Sequence, residues 1–391
     1  MHESIFTVGG LLITMKKSLF LTLVLALASV VTLNASDLKF MALEDLSYDD
    51  NIYLRNGGRV GSGIASTKVG ALLDLAIPNT SLEGKASATV GYNAYTKNNG
   101  TNGFWDALVA AEVGNEMLKI GDRFMLTSDP ANSELTDRAQ RVNNNIYASY
   151  RTNTYKKLSV GAKVSDELNK YTGFAYQALN RNNLNIGLGA YYNISEKTSL
   201  LAEYTYHIVS YQKTQANNSN GGTLALGIEG QVAPKVTGEA KVTYNYRNYT
   251  HEVTGYDDYA NLIGYDLAFT WEPTSQNLVR LSGSRNFEET FYANNRYFVS
   301  TGVKLYGSQK IMDKFTAGLT LGYENLSYAK DDNNGVKRSD DVITVRPEVN
   351  YQFKEWLSAG VWYQYRRRAS NAGADNFYFN NRVGAFVKAI F

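Results

Sequence analysis

Residues 342–353 read VITVRPEVNYQF, a stretch in which apolar and polar side chains alternate. One face carries Ile343, Val345, Val349, Tyr351 and Phe353. The other carries Thr344, Arg346, Glu348, Asn350 and Gln352. Alternation at period two indicates a β-strand, because successive side chains of a strand point to opposite faces of its sheet.

The same alternation recurs in residues 82–94, 198–208, 236–247 and 357–366. Two architectures produce it. A soluble sandwich turns the apolar face inward and the polar face to water. A transmembrane barrel turns the apolar face to lipid and the polar face to the lumen. The pattern therefore predicts an all-β chain and leaves these two architectures to be separated by other features.

Three features favour the transmembrane barrel. Phe315 and Tyr323 bracket smaller apolar residues on one face, as the aromatic girdles of a membrane barrel do. Short and long connections alternate along the chain, and the last stretch alternates up to Phe391. Eight short turns join sixteen strands, and two more strands are predicted, a final one near 377–391 and a first one at 43–55 that turns at 56–58. The sequence therefore predicts a single antiparallel barrel of about 18 strands. The alternative is about 16 strands, if 43–55 lies outside the wall. Pro347 falls inside a strand, where it predicts a bulge.

Composition excludes several classes of protein. The 391 residues contain no Cys, so disulfide scaffolds, thiolate metal sites and cysteine nucleophiles are ruled out. A net charge of +2 argues against a nucleic-acid binder. The mean hydropathy of −0.32 excludes a polytopic helical membrane protein. A charged share of only 19% together with 29 Tyr suits a β-rich chain with aromatic side chains on its surface.

The N-terminal segment resembles a secretory signal. Lys16 and Lys17 precede an apolar run at residues 19–31, and Ala35 supplies a small residue for cleavage. We predict that residues 1–35 are a signal peptide with an upstream extension, that Met15 is the start, and that residues 36–391 form the barrel. Export of such a chain predicts the outer membrane of a Gram-negative-type bacterium, with membrane lipid as its surroundings.

The polar faces supply the candidate lumen lining. The residues predicted to line the pore are Lys85, Glu203, Glu239, Lys241, Arg247, Arg346, Glu348, Arg366 and Arg368. Such charges either filter solutes or pair across strands and hydrate the wall. Over all polar faces we assign 14 basic and 9 acidic candidates, which predicts a weak anion preference.

No motif indicates catalysis, and we expect neither an enzyme, a cofactor nor a metal site. His207 lies on a polar face without a nucleophile motif beside it. Residues 331–335 resemble part of a calcium loop but lack the closing Glu of an EF-hand. A lumen-facing histidine and a solvated turn are the better interpretations.

The third outer connection, residues 128–143, is predicted to narrow the pore. It carries Asp129, Glu134, Asp137, Arg138 and Arg141. Acidic residues early and basic residues late suit a short helix, with Ser133 as its N-cap and Leu135 and Ala139 on one side. The alternative is a loop that folds outward.

The C-terminal half carries a family resemblance. Its pieces are residues 269–274, Ser284-Arg285 with residues 288–290, residues 338–341, 363–366 and 368–371, and the closing strand; residues 50–53 fit at the other end. With these the chain resembles the putative β-barrel porins of exopolysaccharide gene clusters. The resemblance implies an outer-membrane location and no catalytic residue to transfer.

Three functions follow as hypotheses. The first is a channel for polar solutes. The second is a conduit for exopolysaccharide that works with periplasmic export components, with Trp362 and Tyr306 as platforms for sugar rings. The third is a structural or surface-binding barrel, for which the loops are short.

Overall fold

A computed structural model describes residues 35–391 except 78, 137, 153, 291, 293 and 332–334. The predicted signal peptide lies outside the described residues apart from Ala35, which begins the first strand, and it stays a prediction. Among the described helices, none combines the length and the apolar character needed to cross a membrane.

Eighteen antiparallel strands form one closed sheet, as predicted. They are β1 (Ala35–Asp49), β2 (Ser62–Ala76), β3 (Glu83–Tyr95), β4 (Phe104–Gly114), β5 (Leu118–Thr127), β6 (Arg141–Arg151), β7 (Leu158–Tyr171), β8 (Arg181–Asn193), β9 (Thr198–Tyr211), β10 (Ser219–Ala233), β11 (Val236–Tyr249), β12 (Tyr259–Thr274), β13 (Asn277–Glu289), β14 (Tyr297–Lys310), β15 (Phe315–Asp331), β16 (Lys337–Lys354), β17 (Leu357–Ser370) and β18 (Tyr378–Ile390). One α-turn, α1 (Asn99–Asn102), and 3₁₀ turns at Phe174–Leu179, Gln215–Asn217 and Ala374–Asn376 lie in the connections.

Each strand pairs with its sequence neighbours, and β1 closes the ring by pairing with both β2 and β18. At the seam the amide of Phe40 donates to the carbonyl of Phe391 at 2.7 Å, and the amide of Phe391 donates back at 3.0 Å. The first strand therefore starts earlier than the predicted 43–55, and residues 56–58 lie in the connection that follows it. Closure leaves no free sheet edge, as a membrane requires.

Connections alternate in length around the ring, as predicted. The short ones cover residues 77–82, 115–117, 152–157, 194–197, 234–235, 275–276, 311–314 and 355–356. The long ones cover residues 50–61, 96–103, 128–140, 172–180, 212–218, 250–258, 290–296 and 371–377; the connection 332–336, at the same end, is the exception in length. In outer-membrane barrels the short turns face the periplasm and the long loops face the outside, which orients the barrel.

The predicted bulge at Pro347 is wrong. Pro347 pairs with Leu319 on β15, and the β16–β17 register runs without a shift from Val345, opposite Tyr365, to Glu348, opposite Trp362. The long ladders on both sides hold β16 in register. Proline therefore lacks a hydrogen-bond donor but does not shift the register of the strand.

The outward faces are apolar. On β15, Leu319 and Leu321 are exposed on the outer surface, and the exposed rings of Phe315 and Tyr323 flank them on either side. This is the apolar band with aromatic flanks that a bilayer solvates. The polar faces of the same strands therefore point into the lumen.

Candidate functional site: the lumen and the strap across it

Residues 128–140, here called the strap, connect β5 to β6 but reach the far side of the barrel. Asn132 donates a side-chain hydrogen bond of 3.4 Å to the carbonyl of Glu289 on β13. The hydroxyl of Ser133 donates to the carboxylate of Glu324 on β15. Strands β6 and β15 lie nine positions apart in either direction around the ring (15 − 6 = 9; 18 − 9 = 9). The strap therefore spans the lumen.

Glu134 anchors the tip of the strap. Its side chain is only 3% exposed, and it accepts hydrogen bonds from the hydroxyl of Thr290 and, at 2.9 Å, from that of Tyr328. A buried carboxylate is costly unless hydrogen bonds compensate for the lost water. These donors come from the wall opposite β6, so they hold the tip there.

Two arginines of β17 hold the backbone and side chain of the same tip. Arg366 donates to the hydroxyl of Ser133 at 3.0 Å. Arg368 donates to the carbonyls of Ser133 and Glu134 at 3.1 and 2.9 Å, and it is 1% exposed. Arg368 was predicted to line the pore, and that prediction needs correction: the strap covers its guanidinium, which also donates to the carbonyl of Asn376.

An apolar contact holds the other half of the strap. Leu135 is 3% exposed and packs in one cluster with Tyr171, Tyr176 and Leu179, which belong to the end of β7 and the connection after it. Ala139 packs against the same cluster. The tip is therefore held by polar contacts on one wall and by an apolar contact on the other.

The predicted helix is absent from residues 128–136 and 138–140, and Asp137 lies outside the described residues. The side-chain oxygen of Asn132 instead accepts from the amides of Glu134 and Leu135, at 3.1 and 3.4 Å. Local bonds of this kind compete with helix formation. Nothing in the charge order of the loop reveals this competition.

The charges at the base of the strap pair with each other. Arg138 lies 3.3 Å from the carboxylate of Asp129 and above the ring of Tyr95. Arg141, the first residue of β6, donates to the carbonyl of Asp129. The acidic and basic ends of the strap therefore meet without a helix between them.

Cavities lie on both sides of the strap. Along β1, β17 and β18 a cavity of about 450 Å³ includes Asp129 and Arg138, and beyond it lies one of about 870 Å³. Both contain Ser133, Glu324, Gln364 and Arg366. These four side chains therefore mark the junction of the two cavities, beside the tip.

Four of the predicted pore residues line the 870 Å³ cavity: Glu239, Lys241, Arg346 and Arg366. Glu203 and Lys241 line a cavity of about 510 Å³ on the other side, and Arg247 lines one of about 490 Å³. Lys85 lies on β3 opposite Asp74 and Glu112. The structure thus distributes these residues around the wall rather than gathering them at one point.

Most of these charges have partners of opposite sign. Lys241 lies 3.2 Å from Glu203 and 2.9 Å from Glu239. Arg247 pairs with Glu289 at 2.6 Å. Arg346 lies 3.6 Å from Glu348 and 4.4 Å above the ring of Trp362. Pairing across the wall reduces the net field that a passing ion meets.

Trp362 does not offer an open platform. Its ring is 6% exposed, and its indole N–H donates to Asp45 at 2.9 Å. The guanidinium groups of Arg346 and Arg382 lie over it. Tyr306, the other predicted platform, donates to Glu348 at 3.5 Å.

Sequence reasoning missed the partners of the strap, Thr290 and Tyr328. Tyr328 has the same parity as Glu324 on β15, which places both on the lumen face. No periodic signal indicates that a loop reaches across to either residue. Within the described residues, no group of three or more His, Asp or Glu could hold a metal ion.

Comparison with known proteins agrees with the architecture. The family model described as putative beta-barrel porin 2 matches residues 138–391. No curated protein matches the chain.

Solved structures similar to the chain include an outer membrane protein, OpdK. OccK2 (OpdF) of Pseudomonas aeruginosa in complex with glucuronate has a TM-score of 0.51 at 10% identity, covering 90% of this chain and 98% of its own. OpdK of the same organism has a TM-score of 0.49 at 10% identity, covering 92% and 100%. OccAB4 of Acinetobacter baumannii has 0.46 at 10% identity, covering 92% and 99%. The likeness to OccK2 shows a shared barrel fold.

Proposed function

The chain belongs to the putative beta-barrel porin 2 family and is an outer-membrane channel for polar solutes, and from this premise we propose that the strap is its constriction. The observation that carries the proposal is the contact of Ser133 with Glu324 and Arg366, on strands across the barrel from β6. A solute that enters from outside passes the strap on one side or the other.

The charge distribution supports a mild selectivity for anions. The basic candidates of the polar faces outnumber the acidic ones, but pairs such as Lys241 with Glu203 and Arg247 with Glu289 neutralise much of the excess. Arg366 faces the junction of the 450 and 870 Å³ cavities, where a passing solute comes close to its guanidinium. We therefore place the anion preference at this junction.

The test is removal of the strap. Deleting residues 131–139 should raise single-channel conductance in planar bilayers several-fold, because the cross-section of the lumen is no longer divided. The matched control deletes residues 253–256 from the connection 250–258, whose neighbours Asp257 and Asp258 contact Arg296 and Lys330. That deletion should leave conductance near the wild-type level.

Unchanged conductance in a folded strap deletion would reject the constriction. Export of an exopolysaccharide, the alternative function, would involve periplasmic partners. The polymer could pass only if the strap left the lumen, because the tip of the strap is bonded to β15 and β17. Polymer translocation through a barrel whose strap is cross-linked to β17 would therefore also count against the constriction.

A further inference from the structure

A row of uncharged side chains crosses one wall of the lumen, from β7 to β11. The row consists of Ser165, Asn185, His207, Thr223, Asn245 and Thr243. Consecutive members are hydrogen-bonded, one strand after another. We call this set the neutral row.

The contacts within the neutral row are short and continuous. Asn185 donates to Ser165 at 3.1 Å, and its oxygen lies 2.7 Å from one ring nitrogen of His207. The other ring nitrogen lies 2.9 Å from the hydroxyl of Thr223. Thr223 donates to Asn245 at 2.6 Å, and Asn245 donates to Thr243 at 3.0 Å. The row is therefore held in place before any solute arrives.

The row lies where two cavities meet. The cavity of about 490 Å³ beside the strap and the one of about 510 Å³ below it both include Asn185, His207, Thr223 and Asn245. Asn185, His207 and Thr223 are half-buried, whereas Asn245 and Thr243 are buried. The first three therefore present polar edges to a solute moving between the cavities, and the last two support them.

Paired charges flank the row on both sides. Below it, Glu203 is bonded by Lys241 and by the hydroxyl of Tyr191 at 2.8 Å. Above it, Arg247 is bonded to Glu289. The 870 Å³ cavity, which meets the 510 Å³ cavity at Lys241 and Asp266, in contrast presents Lys304, Arg346 and Arg366 together with Glu324. The two sides of the strap therefore differ in chemistry.

Amide and hydroxyl groups both donate and accept hydrogen bonds, as the hydroxyl groups of a polyol do. The amide and hydroxyl groups of the row can exchange hydrogen bonds to water for hydrogen bonds to a polyol with a small net change in free energy. Adjacent strands are spaced by about 4.8 Å, so the row offers partners at regular intervals. An ion gains less from the row itself, because the side chains of the row carry no charge.

We infer that the neutral row is a binding site for small neutral polyols, which pass the strap on this side while ions favour the charged side. This inference rests on the proposed channel function. It assigns a solute class to one wall of the lumen.

The test compares two permeants in one barrel. Sorbitol entry is measured by swelling of proteoliposomes, and potassium chloride conductance is measured in planar bilayers. The combined variant Asn185→Leu and Thr223→Val keeps side-chain size but removes polar edges from the row. We expect the ratio of sorbitol rate to conductance to fall about tenfold, and each single variant to give a smaller fall.

The matched control changes Ser282→Ala and Thr344→Val, on β13 and β16, which line the 870 Å³ cavity and lie outside the row. It should leave the ratio within about twofold of wild type. A shift in heat-modifiable migration confirms that each variant is folded; should the double variant fail to fold, Thr223→Val alone carries the test.

An unchanged ratio in the folded row variants would overturn the inference. So would a wild-type barrel that conducts ions but excludes sorbitol, and in that case the channel function stands. A wild-type barrel that passes neither permeant would overturn the channel function and this inference with it.

Discussion

The extracellular half of the barrel contains buried apolar clusters among its polar side chains, whereas the half nearer the periplasm is lined mainly by charges and hydroxyls. Three buried clusters occupy the outer half. They are Ile52, Ile64, Tyr95 and Phe104; Leu135, Tyr171, Tyr176 and Leu179; and Phe298, Leu326, Tyr328 and Val342. The 870 Å³ cavity below them is lined largely by charged residues, serines and threonines.

One strand face shows the change directly. On β15, Thr320 and Glu324 line the cavity, while Leu326 and Tyr328, two and four positions beyond Glu324, are fully buried. All four share the lumen parity. Burial there comes from the connections that fold over the strand ends, including Tyr292 of the 290–296 connection. The wall is therefore covered by packed apolar clusters near the outer strand ends and lined by polar side chains at the level of the 870 Å³ cavity.

The largest expected effect tests whether the outer half is a true core. Phe298 is fully buried and lies 5.3 Å from the ring of Tyr328. Phe298→Ala removes a large side chain that its neighbours cannot replace, and it should lower the free energy of unfolding by about 3–5 kcal/mol. Urea titration of the folded barrel in detergent or lipid measures the change.

Thr320→Ala, on the lumen face of the neighbouring strand, is the control for Phe298→Ala. Its side chain lines the open cavity, so the free energy of unfolding should change by about 0.5 kcal/mol or less. If Phe298→Ala and Thr320→Ala lowered the free energy of unfolding equally, the two halves of the lumen would not differ in packing.

The next effect concerns the strap, which separates the halves. Glu134→Ala leaves the hydroxyls of Thr290 and Tyr328 without this acceptor, at a cost of about 1–3 kcal/mol. The tip should then leave the far wall part of the time. Bilayer recordings should show a higher mean conductance than wild type, below that of the strap deletion.

Asp129→Ala serves as the control for Glu134→Ala, because the side chain of Asp129 is 72% exposed at the base of the strap. It should leave conductance near wild type. A loss of stability of the whole barrel in Glu134→Ala without a change in conductance would contradict this prediction. The carboxylate would then stabilise the packed outer half without holding the strap across the lumen.

The smallest effect concerns ion preference. Arg366→Glu reverses a charge at the junction of two cavities, and it should move the reversal potential in a salt gradient toward cations. The energy involved is on the order of 1 kcal/mol for a half-buried charge at the edge of a cavity, and it should shrink as salt increases. Arg367→Glu, on the outer face of the same strand, should produce no shift. A shift of equal size from both would remove the lumen assignment of Arg366.

The barrel can be predicted from the sequence because the strand pattern is local and is repeated along the chain. Alternation along each strand and the change between short and long connections predict 18 strands, the ring and the face of nearly every residue. Strand ends are less well predicted, as β1 shows, because the seam with β18 rather than local pattern decides where pairing begins.

The lumen is predicted less well, because its chemistry depends on what fills it. Period two places Arg368 on the lumen face, but it cannot show that the strap covers its guanidinium. The charge order of the strap predicts a helix, whereas the side chain of Asn132 and the distant partners of Glu134 determine its path. The contact between Glu134 and Tyr328 produces no periodic pattern in the sequence, so it cannot be predicted from alternation.

The seam between β1 and β18 also dictates how the barrel must assemble. Met41 pairs with Ile390, a separation of 349 positions (390 − 41 = 349), and closing a flexible loop of that length costs about 5 kcal/mol in chain entropy. Until this pairing forms, both strands present bare amide and carbonyl groups to lipid, where each unpaired group costs several kcal/mol. A partly inserted sheet is therefore far less stable than the finished ring. Closure of the seam is then a late, slow and cooperative step, in keeping with its very high contact order.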